Sequence, residues 1–219
     1  MPGPKYHKIN SIFKRDENTG KFLDGQFSSP EIEFLVKNPW EFTEKVDGTN
    51  IRIAIQPDFT VKYGGRTDNA QLQATLIDAM NEMFPQSIIE EVFKESQKDG
   101  QEFPEITLYG EGYGPKIQKG GENYRNTQSF VLFDVRIGTW WLTRESVNDI
   151  AAQLDIEAVP VIGTGNLYDA IEMCLEGFNS QWGDFEAEGI VARPKVDLFT
   201  RSGQRVITKV KCRDYKKLG

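Results

Sequence analysis

The stretch NIRIAIQPDFTVKYGG, residues 50–65, constrains the fold more than any other. It reads as two strands around a Pro57-Asp58 turn, the first alternating apolar and polar residues. Two strands joined so tightly must lie antiparallel and bury one face. The segments AQLQATLIDAMNEMF and SIIEEVFKESQ follow, with apolar residues at helical spacing and Pro85 between them, and predict two helices. EITLYGEGYG reads as a strand running into glycines, PKIQKGGENYRN as a polar loop and SFVLFDVRIG as a strongly apolar strand. TRESVNDIAAQL and NLYDAIEMCLEGF are helices with Thr143 and Asn166 as N-caps, while EAEGIVARP and QRVITKVKCRDY are strands. Residues 14–29 read as a polar, glycine-containing lead-in. Helices and strands interleave, but hairpins recur and long βαβ spacing is not sustained. The fold class is therefore α+β with antiparallel sheets rather than doubly wound.

Composition narrows the chemistry. The 219 residues suffice for one sizeable core or two small ones, and 38% hydrophobic content with 14 Phe and 4 Trp is that of a globular chain. No long apolar run or signal-like start occurs, so the sequence reads as a soluble intracellular protein. Cys174 and Cys212 are too few and too separated for a zinc site or disulfide scaffold, and the single histidine, His7, offers little for a Ser-His-Asp or multi-His site. Chemistry must rest on Lys, Asp, Glu and Arg. A net charge of −7 argues against indiscriminate coating of nucleic acid, yet Arg205, Lys209, Lys211, Arg213, Lys216 and Lys217 make the C-terminal stretch basic. Such a run is most often a solvated face.

Alternation locates candidate groups. In TKVKCRD, Lys209, Lys211 and Arg213 share one strand face, and Val210 and Cys212 the other, which makes Cys212 a core residue. Cations on one face repel unless they serve a polyanion or pair with acids. Glu186 and Glu188 share a face in EAEGIVAR, Glu186 reading as a solvated edge and Glu188, beside a buried apolar run, as functional. YGEGYG presents Glu111 among glycines that allow close backbone approach, although a turn with an exposed glutamate is the blander alternative. Phe133 on its own reads as core. EKVDGTNIRI, residues 44–53, sets Lys45 just ahead of a tight Asp47-Gly48 turn that leads into an alternating strand, and reads as a hairpin.

In order along the chain, EKVDGTN, YGGRT, YGEGYG, FVLFD, EGIV and TKVK resemble the signature elements of the covalent nucleotidyltransferase superfamily of ATP-dependent DNA and RNA ligases and mRNA capping enzymes. KYHKINSIF, IQKGGENY and the Phe133-Asp134 pair are most similar to the branch that seals nicks in duplex RNA. The resemblance implies a ligase-adenylation fold of antiparallel sheets flanked by helices with the nucleotide between them. It implies an ATP-dependent RNA ligase that forms lysyl-AMP, passes AMP to a 5′-phosphate and seals that end to a 3′-hydroxyl. Its partners would be nucleic-acid ends, RNA rather than DNA, with Mg²⁺ or Mn²⁺ as the metal. A cytoplasmic monomer without membrane association, repairing RNA in a bacterial or phage-infected cell, is implied as well.

By the same resemblance Lys45 is the nucleophile, and Lys209, Lys211 and a metal placed by Glu188 activate it and hold phosphate. Glu44 meets the adenine amino edge, Phe133 stacks on the base and Glu111 accepts from the ribose hydroxyl. Asn50 and Arg66 contact phosphate or the incoming 5′-phosphate. Asp47 and Gly48 fix the direction of the lysine and let phosphates approach backbone. The chain stops within ten residues of Lys211, so residues 1–219 are expected to form a single adenylyltransferase domain with no C-terminal OB or helical domain. That is either a minimal ligase or a truncated nucleotidyltransferase domain. A DNA ligase core, a capping-type enzyme and a nucleotide- or RNA-end-binding module without turnover are the alternatives.

Overall fold

The computed structural model describes residues 2–97 and 100–215; Lys216 and Lys217 of the basic C-terminal run lie outside the described residues. In chain order the elements are β1 (Asn10–Ser11), β2 (Phe13–Arg15), β3 (Phe22–Phe27), α1 (Pro30–Leu35), β4 (Trp40–Glu44), β5 (Thr49–Ile55), β6 (Val61–Gly65), α2 (Ala74–Met83) and α3 (Gln86–Phe93). They continue with β7 (Ile106–Tyr113), β8 (Ser129–Ile137), β9 (Trp140–Trp141), α4 (Arg144–Gln153), β10 (Glu157–Ala158), β11 (Val161–Gly165), α5 (Leu167–Glu176), β12 (Gly189–Pro194), β13 (Thr208–Lys211) and α6 (Cys212–Tyr215). The chain divides into two compact units, the first made of Met1–Tyr6 and Asp47–Val159, the second of His7–Val46 and Pro160–Gly219.

The first unit contains the expected hairpin. β5 pairs antiparallel with β6, setting Ile51 opposite Gly65 and Ile53 opposite Tyr63, and on its other edge pairs with β7. The sheet runs β10-β8-β7-β5-β6, with β9 paired to β8. Ile51, Ile53 and Ile55 bury one face with Leu76 and Met80 of α2 and Ile89 and Phe93 of α3, each such side chain contributing roughly 1.5–3 kcal/mol. The opposite face carries Asn50, Arg52, Tyr109 and Glu111. Arg52 is fully buried there. Its donors are consumed by the Gly65 carbonyl at 2.8 Å, the Gly3 carbonyl at 2.7 Å and Asp68 at 3.0 Å, which is what makes a buried guanidinium tolerable.

The second unit holds a five-stranded sheet, β1-β13-β12-β4-β11, and the two-stranded β2–β3 ribbon. Trp40, Phe42, Ile190, Ala192 and Val210 bury one face of the sheet against Leu167, Ala170 and Cys174 of α5. Asn166 caps α5 as expected, its side chain accepting from the Tyr168 and Asp169 amides while the Asp169 carboxylate accepts from the Asn166 amide, and Thr143 caps α4 by accepting from the Ser146 amide.

Several expectations are corrected. EKVDGTNIRI is not a hairpin: β4 pairs with β11 and β12 in the second unit, whereas β5 pairs with β6 and β7 in the first. YGEGYG is not a turn but part of β7, whose glycines are needed because a Cβ on Gly110 would lie 2.2 Å from the Phe130 ring and one on Gly112 would lie 2.7 Å from Leu76. The final strand stops at Lys211, and Cys212–Tyr215 is a helical turn. The sheets are mixed rather than purely antiparallel, because β1 runs parallel to β13 and β10 parallel to β8. The lead-in at 14–29 contains most of the β2–β3 ribbon. The two cysteines, far apart in sequence, meet in the core with Sγ atoms 2.8 Å apart and remain thiols.

Candidate active site

The second unit gathers three of the predicted groups at hydrogen-bond distance. β12 lies between β4 and β13, with Gly189 opposite Lys211 and the Lys45 amide bonded to the Gly189 carbonyl at 2.9 Å. Lys45 and Lys211 therefore flank one glycine across the sheet. Glu188, the residue before it, accepts from Lys45 Nζ on one carboxylate oxygen and from Lys211 Nζ on the other, each at 2.6 Å. The carboxylate is 8% exposed and the lysines about a fifth exposed. Gly189 is required: a Cβ there would sit 2.0 Å from the Val210 carbonyl and force β12 and β13 apart. Lys209 lies two residues from Lys211 on the half-exposed face, while Val210 and Cys212 are buried as expected. Glu186 is exposed, also as expected.

Glu44 is placed differently from Lys45. Alternation in β4 turns it to the buried side with Trp40 and Phe42, and it is 1% exposed. Ser180 Oγ donates to one carboxylate oxygen at 2.6 Å and the Gln181 amide to the other at 2.8 Å, while Ser180 is itself oriented by the Trp182 amide. Burial pushes the Glu44 carboxyl above the usual glutamate range, and the Gln181 and Ser180 bonds oppose that rise. Sequence reasoning missed Ser180 and Gln181, which sit in a polar loop, NSQWGD, without periodicity or motif.

The first unit holds the other predicted residues. Asp47 and Gly48 are braced by the IQKGGENY loop, since the Asp47 amide donates to Tyr124 Oη at 3.1 Å and Gln118 Nε2 donates to the Gly48 carbonyl at 3.0 Å. Gly48 has no room for a side chain, because its Cβ would lie 2.3 Å from the Gly112 carbonyl oxygen. Its observed role is thus close packing on β7. Asn50 and Glu111 are directly opposite in the β5–β7 register. The buried Asn50 Oδ1 has no hydrogen-bond donor among the described residues. The register of β8 slips so that Tyr109 faces Asp134 and Gly110 faces Leu132, leaving Phe133 as the extra residue of a bulge. Bulges re-aim side chains, and the Phe133 ring is half-buried, edge-on to Tyr6 at 5.0 Å. Tyr6, also unpredicted, donates to Asp134 Oδ2 at 2.5 Å. Arg66 follows β6 and is exposed.

A sequence profile of the RNA ligase family matches residues 38–211, which include every one of these candidate residues except the unpredicted Tyr6. The chain belongs to the RNA ligase family. No curated protein sequence matches it. Solved structures of Naegleria gruberi RNA ligase share the RNA ligase fold of this chain. A mutant without ligand superposes with a TM-score of 0.66 at 18% identity, covering 99% of this chain and 57% of that one. A mutant with ATP and Mn gives 0.64 at 18% identity, with 99% and 62% covered. A further mutant with AMP and Mn gives 0.62 at 18%, with 96% and 63% covered. The chain therefore spans about 57–63% of the length of these ligases.

Two outcomes are expected. Glu188→Gln leaves two ammonium groups without their shared acceptor and lowers stability by about 1–3 kcal/mol, part of which Lys211→Met restores in the double mutant. Denaturant titration of the four proteins measures it, and purely additive effects would contradict the bridge. Because the folded value of Glu44 is raised, its contribution to stability is full below the usual glutamate range and is lost as pH rises through the raised value. Glu44→Gln therefore gains in Tm relative to the wild type as pH rises from 4 to 7, and a pH-independent difference would contradict the assignment.

Proposed function

We propose that this chain is an ATP-dependent RNA ligase that works through a lysyl-AMP intermediate on Lys45. The observation carrying this reading is the Lys45–Glu188–Lys211 bridge inside the segment that matches the RNA ligase family. It puts one lysine against a carboxylate and a second lysine, on rigid strands, which suits attack on a polyanion.

An amine reacts through its lone pair, so Lys45 must lose a proton to solvent and leave Glu188 before it attacks. The Nζ–phosphorus bond to the α-phosphate then forms as the bond to the bridging oxygen breaks, pyrophosphate departs with the electron pair, and the attached nitrogen gives up a second proton to solvent to leave the phosphoramidate. Lys211 and Lys209 are the cations assigned to the phosphate oxygens, where fixed positive charge stabilises the developing charge. A 5′-phosphate oxygen next displaces Lys45 from phosphorus, and the nitrogen regains its two protons to restore the ammonium. Finally a 3′-hydroxyl oxygen attacks the 5′-phosphorus, its proton is lost and AMP leaves, closing the phosphodiester.

The remaining assignments are those the family resemblance implies. Glu44, held by Ser180 and Gln181, is assigned to the adenine amino edge. Phe133, aimed by its bulge, is assigned to the base, and Glu111 to the ribose hydroxyl. Asn50 and Arg66 are assigned to phosphate, and Asp47 and Gly48 to direct Lys45. Among the described residues no cluster of three His, Cys, Asp or Glu could enclose a metal. Glu188 would be the residue of this chain that holds a metal ion, a single carboxylate being a common protein contribution to Mg²⁺. Such an ion, Mg²⁺ or Mn²⁺, supplies neutralisation of phosphate charge when bound. Solved Naegleria gruberi relatives carry ATP or AMP with Mn, which supports the same pairing here. No helix among the described residues is long and apolar enough to cross a membrane. The reading is completed by a monomeric adenylyltransferase repairing RNA in the cytoplasm of a bacterial or phage-infected cell.

Incubation with Mg²⁺ and ATP labelled at the α-phosphate is expected to give a covalent AMP adduct that Lys45→Ala abolishes, with nicked RNA sealed in preference to nicked DNA. ATP binding without an adduct, labelling by GTP alone, or sealing confined to DNA would overturn the proposal.

A further inference from the structure

We propose that a basic groove lying wholly within the second unit binds the phosphodiester backbone of the RNA strand whose 5′-phosphate reacts. This rests on the ligase reading above. The groove encloses about 900 Å³ and is walled by the N-terminal segment, the β2–β3 ribbon and the end of β13. Lys209 and Lys211 lie at one part of its lining, and Lys8, Lys14, Arg15 and Arg213 at others. Six cations thus line a groove in a chain whose net charge is −7. Local sequence, and not overall composition, has concentrated them there.

Three carboxylates, Asp16, Glu17 and Asp214, share the lining, so the six cations outnumber them two to one. Asp16 commits one carboxylate oxygen to its own turn, Oδ1 accepting from the Asn18 and Thr19 amides at 3.1 and 2.7 Å and from the Thr19 hydroxyl at 2.8 Å. Asp214 is held by Arg15. Among the described residues Lys8, Lys14 and Arg213 make no ion pair, and all three are exposed. Arg213 reaches the same groove as Lys209 and Lys211 even though the strand has ended, because the helical turn at Cys212–Tyr215 still presents it there.

The pattern fits a strand better than a compact anion. Lys209 and Lys211 are two residues apart on β13, about 7 Å at ordinary strand rise, and the other cations come from separate segments around an open groove instead of converging on one point. Neutral polar Asn10, Ser11, Asn18 and Ser28 also line it. Such side chains bond phosphate oxygens and 2′-hydroxyls without reading sequence. The groove leads to Lys211, whose ammonium shares Glu188 with Lys45, so a strand bound there has its end at the reacting lysine.

The test uses a 5′-phosphorylated RNA oligonucleotide, fluorescence anisotropy in EDTA without ATP, and a series of KCl concentrations. Lys8→Ala/Lys14→Ala is expected to weaken binding about tenfold near 0.1 M salt and to lower the salt slope by about 1.4, roughly 0.7 per lost cation on a single strand. Self-adenylylation should stay at the wild-type level, and Lys8→Arg/Lys14→Arg should bind as the wild type does. Unchanged affinity and slope would overturn the proposal. So would a loss of adenylylation with RNA binding intact, which would assign the groove to the triphosphate. A wild type that adenylylates but does not bind RNA sinks the groove and spares the lysine chemistry. If the variant loses RNA affinity while the wild type forms no adduct, the groove stands and the ligase reading falls.

Discussion

The carboxylate of Glu188, shared by Lys45 and Lys211, is the interaction on which the second unit depends. Two ammonium groups on adjacent rows of a sheet repel, and only an acceptor bonded to both lets them stay side by side out of bulk water. Glycine at 189 lets β12 run close enough to β13 for this, since any Cβ would meet the Val210 carbonyl. The bridge adds little net stability, because desolvation offsets most of the attraction, but losing Glu188 exposes the repulsion between the two lysines. It also sets the lysines at a defined distance. For the nucleotidyl transfer proposed above, that is the more consequential effect.

The two compact units reach their functional positions by different means. In the second, cross-strand register and a glycine bring charged side chains into contact. In the first, close backbone packing around Gly48, Gly110 and Gly112 brings β5, β7 and β8 together, and a bulge presents Phe133. Arg52 illustrates the same economy. It stays buried only because two carbonyls and Asp68 take its donors.

Much of this was legible in the sequence where local rules operate alone. The β5–β6 hairpin, the caps at Thr143 and Asn166 and the buried side of Val210 and Cys212 all follow from period, turn chemistry or capping. What was not legible depended on long-range pairing. β4 reads like a lead-in to the Asp47-Gly48 turn, yet its partners are β11 and β12, more than a hundred residues later. Glu111 sits on a central strand because Phe130, Leu76 and the Val131 carbonyl leave no space for side chains at its neighbours, which spacing alone cannot distinguish from a turn. The hold of Ser180 on Glu44 and the meeting of Cys174 with Cys212 had no local signal.

Three lysines, Lys45, Lys209 and Lys211, share one region of the second unit, and the account makes only Lys45 the nucleophile. The most direct measurement is therefore to react the protein with ATP and Mg²⁺, digest it and locate AMP by fragmentation of the modified peptide. AMP on Lys45 alone is the predicted result, and AMP on Lys209 or Lys211 would contradict the account.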